Sequence, residues 1–139
     1  MKAIGYLKSI VLTLILATFF TGCNKVSHNG SIDGHWQIMN IEELSTGDHT
    51  TVTDQRYIGI QLHVMQLIGP GVSVAANMTY DKNDATISCD FPYLPQDQVE
   101  SKLAPFGIRS NPVTFEVVES NRSTLVLRTS ETIITCRRF

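Results

Sequence analysis

Val72-Ser-Val-Ala-Ala-Asn-Met-Thr-Tyr-Asp81, Lys82-Asn-Asp84 and Ala85-Thr-Ile-Ser-Cys-Asp-Phe91 form one continuous stretch. Val72, Val74, Ala76, Met78 and Tyr80 alternate with Ser73, Asn77, Thr79 and Asp81. Successive side chains on a strand point to opposite faces, so this alternation predicts one dry and one wet face. Asp81-Lys82-Asn83-Asp84 is turn chemistry, because Asn tolerates the left-handed backbone. Ala85, Ile87, Cys89 and Phe91 then return on one face. The stretch therefore predicts a β-hairpin of an antiparallel sheet with one face buried.

The same reading extends both ways. Gly34–Glu43 predicts the first strand, and Ile58, Ile60, Leu62 and Val64 share a face further on. After Pro112, Val113, Phe115 and Val117 alternate with Thr114 and Glu116. Ser120–Ser123 predicts a turn, and Leu125 and Leu127 follow with alternate neighbours. Ile134, Cys136 and Arg138 share a face in the last run. Seven strands are evident, and an eighth lies in Thr50–Asp54 or in a break of Gln55–Ile68. Four of the five prolines fall in Pro92–Pro112, which interrupts the pattern. Within it Gln96–Leu103 predicts a short helix opened by Pro95 and stopped by Gly107. Val99 and Leu103, four apart, would face the barrel and cover one end. Short turns favour up-and-down neighbours. The expectation is an all-β, antiparallel, up-and-down barrel of seven or eight strands with one short helix.

Composition sets the bounds. The chain has 139 residues, 42% hydrophobic and 17% charged, with 11 Lys plus Arg against 13 Asp plus Glu. That is one domain's worth of residues. It excludes a polyanion binder, so no nucleic-acid partner is expected. The apolar content excludes a disordered chain.

The N-terminus reads differently. Lys2 and Lys8 precede Ile10–Phe20, an uncharged run of 11 residues. As a helix it spans about 16 Å, short of a hydrocarbon core of about 30 Å. A basic start before a short apolar core is a signal peptide. Phe20-Thr21-Gly22-Cys23 resembles the bacterial lipobox, in which the leader is cut before a cysteine that carries lipid. The resemblance implies residues 1–22 as leader, Cys23 as lipid attachment site and 23–33 as a polar tether to the domain 34–139. The mature chain would then keep 117 residues and, without Lys2 and Lys8, a formal charge of −4. No acidic run follows Cys23 such as resembles a surface-export signal. The implied address is the bacterial cell envelope, on the outer membrane and facing the periplasm.

Cys89 and Cys136 remain. An oxidising compartment permits a disulfide, and two cysteines allow one connectivity. Such a bridge contributes about 4 kcal/mol in the chain-entropy description. The alternative is two buried thiols.

Gly34-His35-Trp36 at the first strand, with an Arg near the end of the last, resembles the lipocalin pattern. With the lipobox ahead of it, the chain resembles the bacterial lipocalin-like lipoproteins. The resemblance implies that Trp36 closes the barrel floor and that Arg138, or else Arg137, lies across its ring. A guanidinium over an indole gains roughly 0.5–2 kcal/mol.

No residue pattern carries catalysis. His28, His35, His49 and His63 have no metal-ligand spacing. Glu42 and Glu43 are adjacent and diverge on a strand. Gly69-Pro70-Gly71 lacks the Lys-Ser/Thr of a phosphate loop. No enzyme, cofactor or metal is expected. A barrel of eight strands can be filled or can hold one small ligand. A small apolar ligand would be lined by Ile58, Ile60, Leu62, Met78, Ile87, Phe115 and Leu127. The alternative is an envelope protein-interaction module, as in lysozyme-inhibitor lipoproteins, although the SGxxY loop associated with those inhibitors is not found.

Overall fold

The computed structural model describes residues 2–18 and 27–139. Lys2–Thr18 is a helix, α1, whose described side chains are exposed. Among the described residues, no helix is long and apolar enough to cross a membrane.

The rest is a closed antiparallel barrel. Its strands are β1 (Gly34–Glu43), β2 (His49–Thr51), β3 (Tyr57–Gln61), β4 (Val64–Gly69), β5 (Val72–Asp81), β6 (Thr86–Asp90), β7 (Val113–Ser120), β8 (Thr124–Arg128) and β9 (Thr132–Arg138). Consecutive strands from β3 to β9 pair antiparallel, and β9 closes the ring on β1. On the other edge of β1, β3 pairs with Gly34–Gln37 and β2 with Asn40–Glu42. β2 and β3 are thus two halves of one interrupted strand. Eight strand positions encircle the core, the upper of the two expected numbers. Both candidate places for the eighth strand contribute, since Thr50 lies in β2 and Gln55–Ile68 splits into β3 and β4.

Between β6 and β7 run a 3-10 turn (Gln96–Gln98), the helix α2 (Val99–Leu103) and a second 3-10 turn (Ala104–Phe106). Val99 and Leu103 are both buried, as their spacing predicts. Gly107 stops the segment with φ 81°, a left-handed backbone that favours glycine. A Cβ there would also come 2.9 Å from Ile134 Cγ1. This segment forms a lid over the end where β1 finishes and β9 starts. The opposite end, where β1 starts and β9 finishes, is the floor.

The core is one continuous cluster. Trp36, Ile38, Ile58, Met65, Leu67, Ile87, Phe115, Leu125, Leu127 and Ile134 are fully buried in it. The lid adds Leu103, Phe106 and Ile108 from above, and the floor adds Ile32 from below.

Four expectations need correction. Leu62 does not line the interior: it is 55% exposed with φ 54°, in the tight turn between β3 and β4. That turn reverses the chain between the paired residues Gln61 and Val64. Inward positions therefore move to Met65 and Leu67, and Val64 faces out. The left-handed residue of the β5–β6 turn is Ala85, φ 52°, rather than an asparagine. Asp81 instead shapes that turn by accepting from the Asn83 and Asp84 amides. From Ser27 onward the tether belongs to the domain, because Ile32 and Asn29 are buried in the floor. Cys89 and Cys136 are free buried thiols, not a disulfide. Strands β7 and β8 separate them around the ring.

Candidate functional site

The floor is built from three pieces of chain. A 3-10 turn, Gly30–Ile32, crosses beneath the barrel and buries Ile32. Trp36 donates from its indole Nε1 to the Ile32 carbonyl at 2.8 Å. Arg138 lies over the same indole, Cζ 4.2 Å from the ring centroid. Its guanidinium donates to the carbonyls of Arg122, Asp33 and Ser31 at 2.8, 3.1 and 3.2 Å. Gly34 makes room for it: at φ 134°, a Cβ would stand 2.4 Å from Arg138 Nη1. This gives the glycine of Gly34-His35-Trp36 a steric reason. Arg137 points to the outer wall and binds Gln37 Oε1.

The turn leading into β1 is held by Asp33. Its carboxylate accepts from the Asn29 amide and Nδ2 and from Ser27 Oγ. Burial works against its ionisation, but the bonds from Asn29, Ser27 and the His28 backbone outweigh it and hold the carboxyl below the usual range. Asn29 Nδ2 also donates to the Leu62 carbonyl at 2.9 Å, tying the turn to the β3–β4 hairpin. Residue patterning missed Asn29, Ile32 and Asp33, because a short polar segment before a strand looks like a linker.

At the lid, Thr132 Oγ1 donates to the Gly107 carbonyl at 2.5 Å. Arg56 reaches the Pro105 carbonyl and pairs with Asp54, Nε to Oδ1 2.7 Å. Arg109 pairs with Glu43. Asn111 holds both backbone groups of Phe91, accepting at 3.0 Å from its N–H and donating at 3.0 Å to its carbonyl.

Chain therefore covers both ends of the barrel. Ile58, Ile60, Met78, Ile87, Phe115 and Leu127 all face inward, where they meet one another in the core cluster. Cys89 Sγ lies 3.7 Å from Met65 Sδ. Burial pushes both thiols up to about 12.

Two concavities lie on the outer surface. One, of about 870 Å³, lies where the floor turn meets the outer face of β1, β3 and β4, and is lined by Ser27, Asp33, His35, Gly59, Leu62 and Gln66 among others. Gly59 opens it by leaving no side chain between His35 and Gln66. Beyond it Phe139 meets Tyr57 edge to face at 4.8 Å, and Ile68 pairs with Tyr57. A second, of about 670 Å³, lies over β5, β6 and β7. His28 and His63 also meet edge to face at 4.9 Å. Among the described residues, no group of three or more His, Cys, Asp or Glu could hold a metal. Cys23 lies outside the described residues.

A sequence model of the lipocalin-like domain family matches residues 18–139. The chain belongs to that family. Two solved structures resemble this lipocalin-like domain. A lipocalin-like protein from Bacteroides uniformis is 23% identical with a TM-score of 0.63, covering 79% of this chain and 100% of that one. An uncharacterized protein from Bacteroides eggerthii is 16% identical with a TM-score of 0.58, covering 77% and 98%. At these identities the likeness is one of fold. A search of curated proteins finds no match. In the lipocalin-like domain the Trp36–Arg138 pair is structural, since its guanidinium is occupied by ring and backbone.

Proposed function

We propose that this lipocalin-like domain is an envelope lipoprotein anchored through Cys23, whose barrel acts through its outer wall as a protein-binding module. The observation that carries this reading is the combination of covered ends and a core occupied by the protein's own side chains. The concavity beside β1, β3 and β4, and the exposed Phe139 and Ile68 around Tyr57 on the same wall, offer binding surface instead. The exposed apolar helix α1 without an acidic residue in its first turn is consistent with a leader. A photo-crosslinking residue at Gln66 is expected to give a discrete adduct in living cells, and one at Ser88 on the far wall none. Equal labelling at both positions refutes the outer-wall reading.

A second reading is a small apolar ligand held inside. It is favoured by Met65 and Met78, flexible side chains beside the small Ala76, which could rearrange around a guest. Competition with a fluorescent fatty acid on delipidated protein distinguishes the two. Saturable stoichiometric binding selects the second reading, and none selects the first.

A further inference from the structure

We infer that the floor of the barrel is the face that rests on the lipid bilayer, with Leu62 at the contact, while the lid points away. The inference rests on the lipid anchor at Cys23 proposed above. Four residue steps separate Cys23 from Ser27. Fully extended, they reach at most about 14 Å. Ser27 is fixed at the floor: its Oγ binds the Gly30 carbonyl and Asp33. The neighbouring Asn29 is bonded to the Leu62 carbonyl. A ten-residue strand such as β5 spans about 34 Å, or roughly 25 Å along the axis of a tilted barrel. The lid therefore lies beyond the reach of a lipidated Cys23, and the floor lies within it.

The surface chemistry of the two ends agrees with that geometry. At the floor, Leu62 is 55% exposed and Val64 46% exposed at the tip of one hairpin. The left-handed backbone at Leu62 is unfavourable for a branched apolar residue. The exposed Lys82 and Arg122 occupy the neighbouring floor turns, beside Asp81 and Asp84. The lid end carries Glu42, Glu43, Asp48, Asp97, Glu100 and Glu131 against Lys102, Arg109 and Arg128. An anionic leaflet repels that acidic end and accepts the nearly balanced floor. A leucine presented at a floor turn can enter the headgroup boundary, as exposed apolar groups do at interfaces.

The test uses the full mature protein in vesicles of phosphatidylethanolamine and phosphatidylglycerol carrying brominated acyl chains. Intact mass first reports whether Cys23 is acylated. Leu62→Trp is expected to lose most of its added emission in brominated vesicles, and Tyr93→Trp, 96% exposed near the lid, to lose none. Trp36 is buried and gives the same background in both. Hydrogen exchange on the unsubstituted protein guards against a misfolded variant: added protection at 61–64 and 121–123, and none at 96–106, is expected. An acylated protein with equal quenching at the two positions, or protection at 96–106 instead, overturns the orientation and leaves the anchor standing. An unacylated Cys23 overturns both.

Discussion

The two ends of the barrel are closed by different physics. At the floor, a few polar contacts of defined direction hold the chain: Trp36 to Ile32, Arg138 to three carbonyls, and Asp33 to Asn29 and Ser27. At the lid, a one-turn helix buries Val99 and Leu103, with Phe106 and Ile108 close behind. Directional contacts that share groups fail together, whereas apolar burial is lost roughly in proportion to the area removed. The lid has directional contacts of its own, Thr132 to Gly107 and Asn111 to Phe91, but its larger share of apolar burial predicts that it is the end that opens locally first.

Trp36→Ala strikes the floor hardest. It removes a fully buried indole together with its hydrogen bond and the seat of Arg138, and is expected to cost about 4 kcal/mol. Urea unfolding followed by far-UV circular dichroism measures it. Leu103→Ala, fully buried in the lid, is expected to cost about 3 kcal/mol. Hydrogen exchange should show faster opening of 96–108 while amides around Trp36 keep their protection. Uniform loss of protection would erase the distinction between the ends.

Gly34→Ala is expected to cost about 1–3 kcal/mol, because it strains the backbone and displaces the Arg138 guanidinium. Arg138→Ala alone is expected to cost about 1 kcal/mol. The double variant should cost less than the sum, since the clash has no target once the guanidinium is gone. Strict additivity would mean that Gly34 is there for the backbone alone.

Asp33 gives the floor an acid limb. Its folded pKa is depressed, so its stabilisation is present above the ordinary carboxylate value of about 4 and is lost as pH falls through the folded value. Asp33→Asn should flatten that limb of the stability profile, and the lid variant Thr132→Val should leave it unchanged. The two thiols lie between the ends. Cys89 and Cys136 have folded pKa values of about 12, above the ordinary 9.0. Their stabilisation is therefore present below about pH 9 and declines as pH rises towards 12. Neither thiol should react with a disulfide reagent until the protein unfolds, and intact mass should show no loss of two hydrogens.

Much of the barrel was legible because strand alternation is local. Ile87 and Cys89, Phe115, Leu125 and Leu127, and Ile134 all face inward as their spacing indicates. Trp36 and Arg138 were legible through a family resemblance, and strand alternation favoured Arg138 over Arg137 because Arg138 shares a face with Ile134 and Cys136. The turn at Leu62 is not legible because Gln61–Val64 continues the strand alternation and contains no Gly or Pro to mark it. The floor turn 27–33 was misread because its side chains are polar and its partners, Leu62 and Arg138, lie 33 and 105 residues away from Asn29 and Asp33.

Local pattern therefore determined the strands, their inward faces and the short helix with its glycine stop, since each depends only on neighbours in the chain. Tertiary structure alone decided the rest: closure of β9 on β1, the split of one strand into β2 and β3, the separation of the two thiols and the covering of both ends. These depend on which faces meet across the ring, a relation that no stretch of sequence carries by itself.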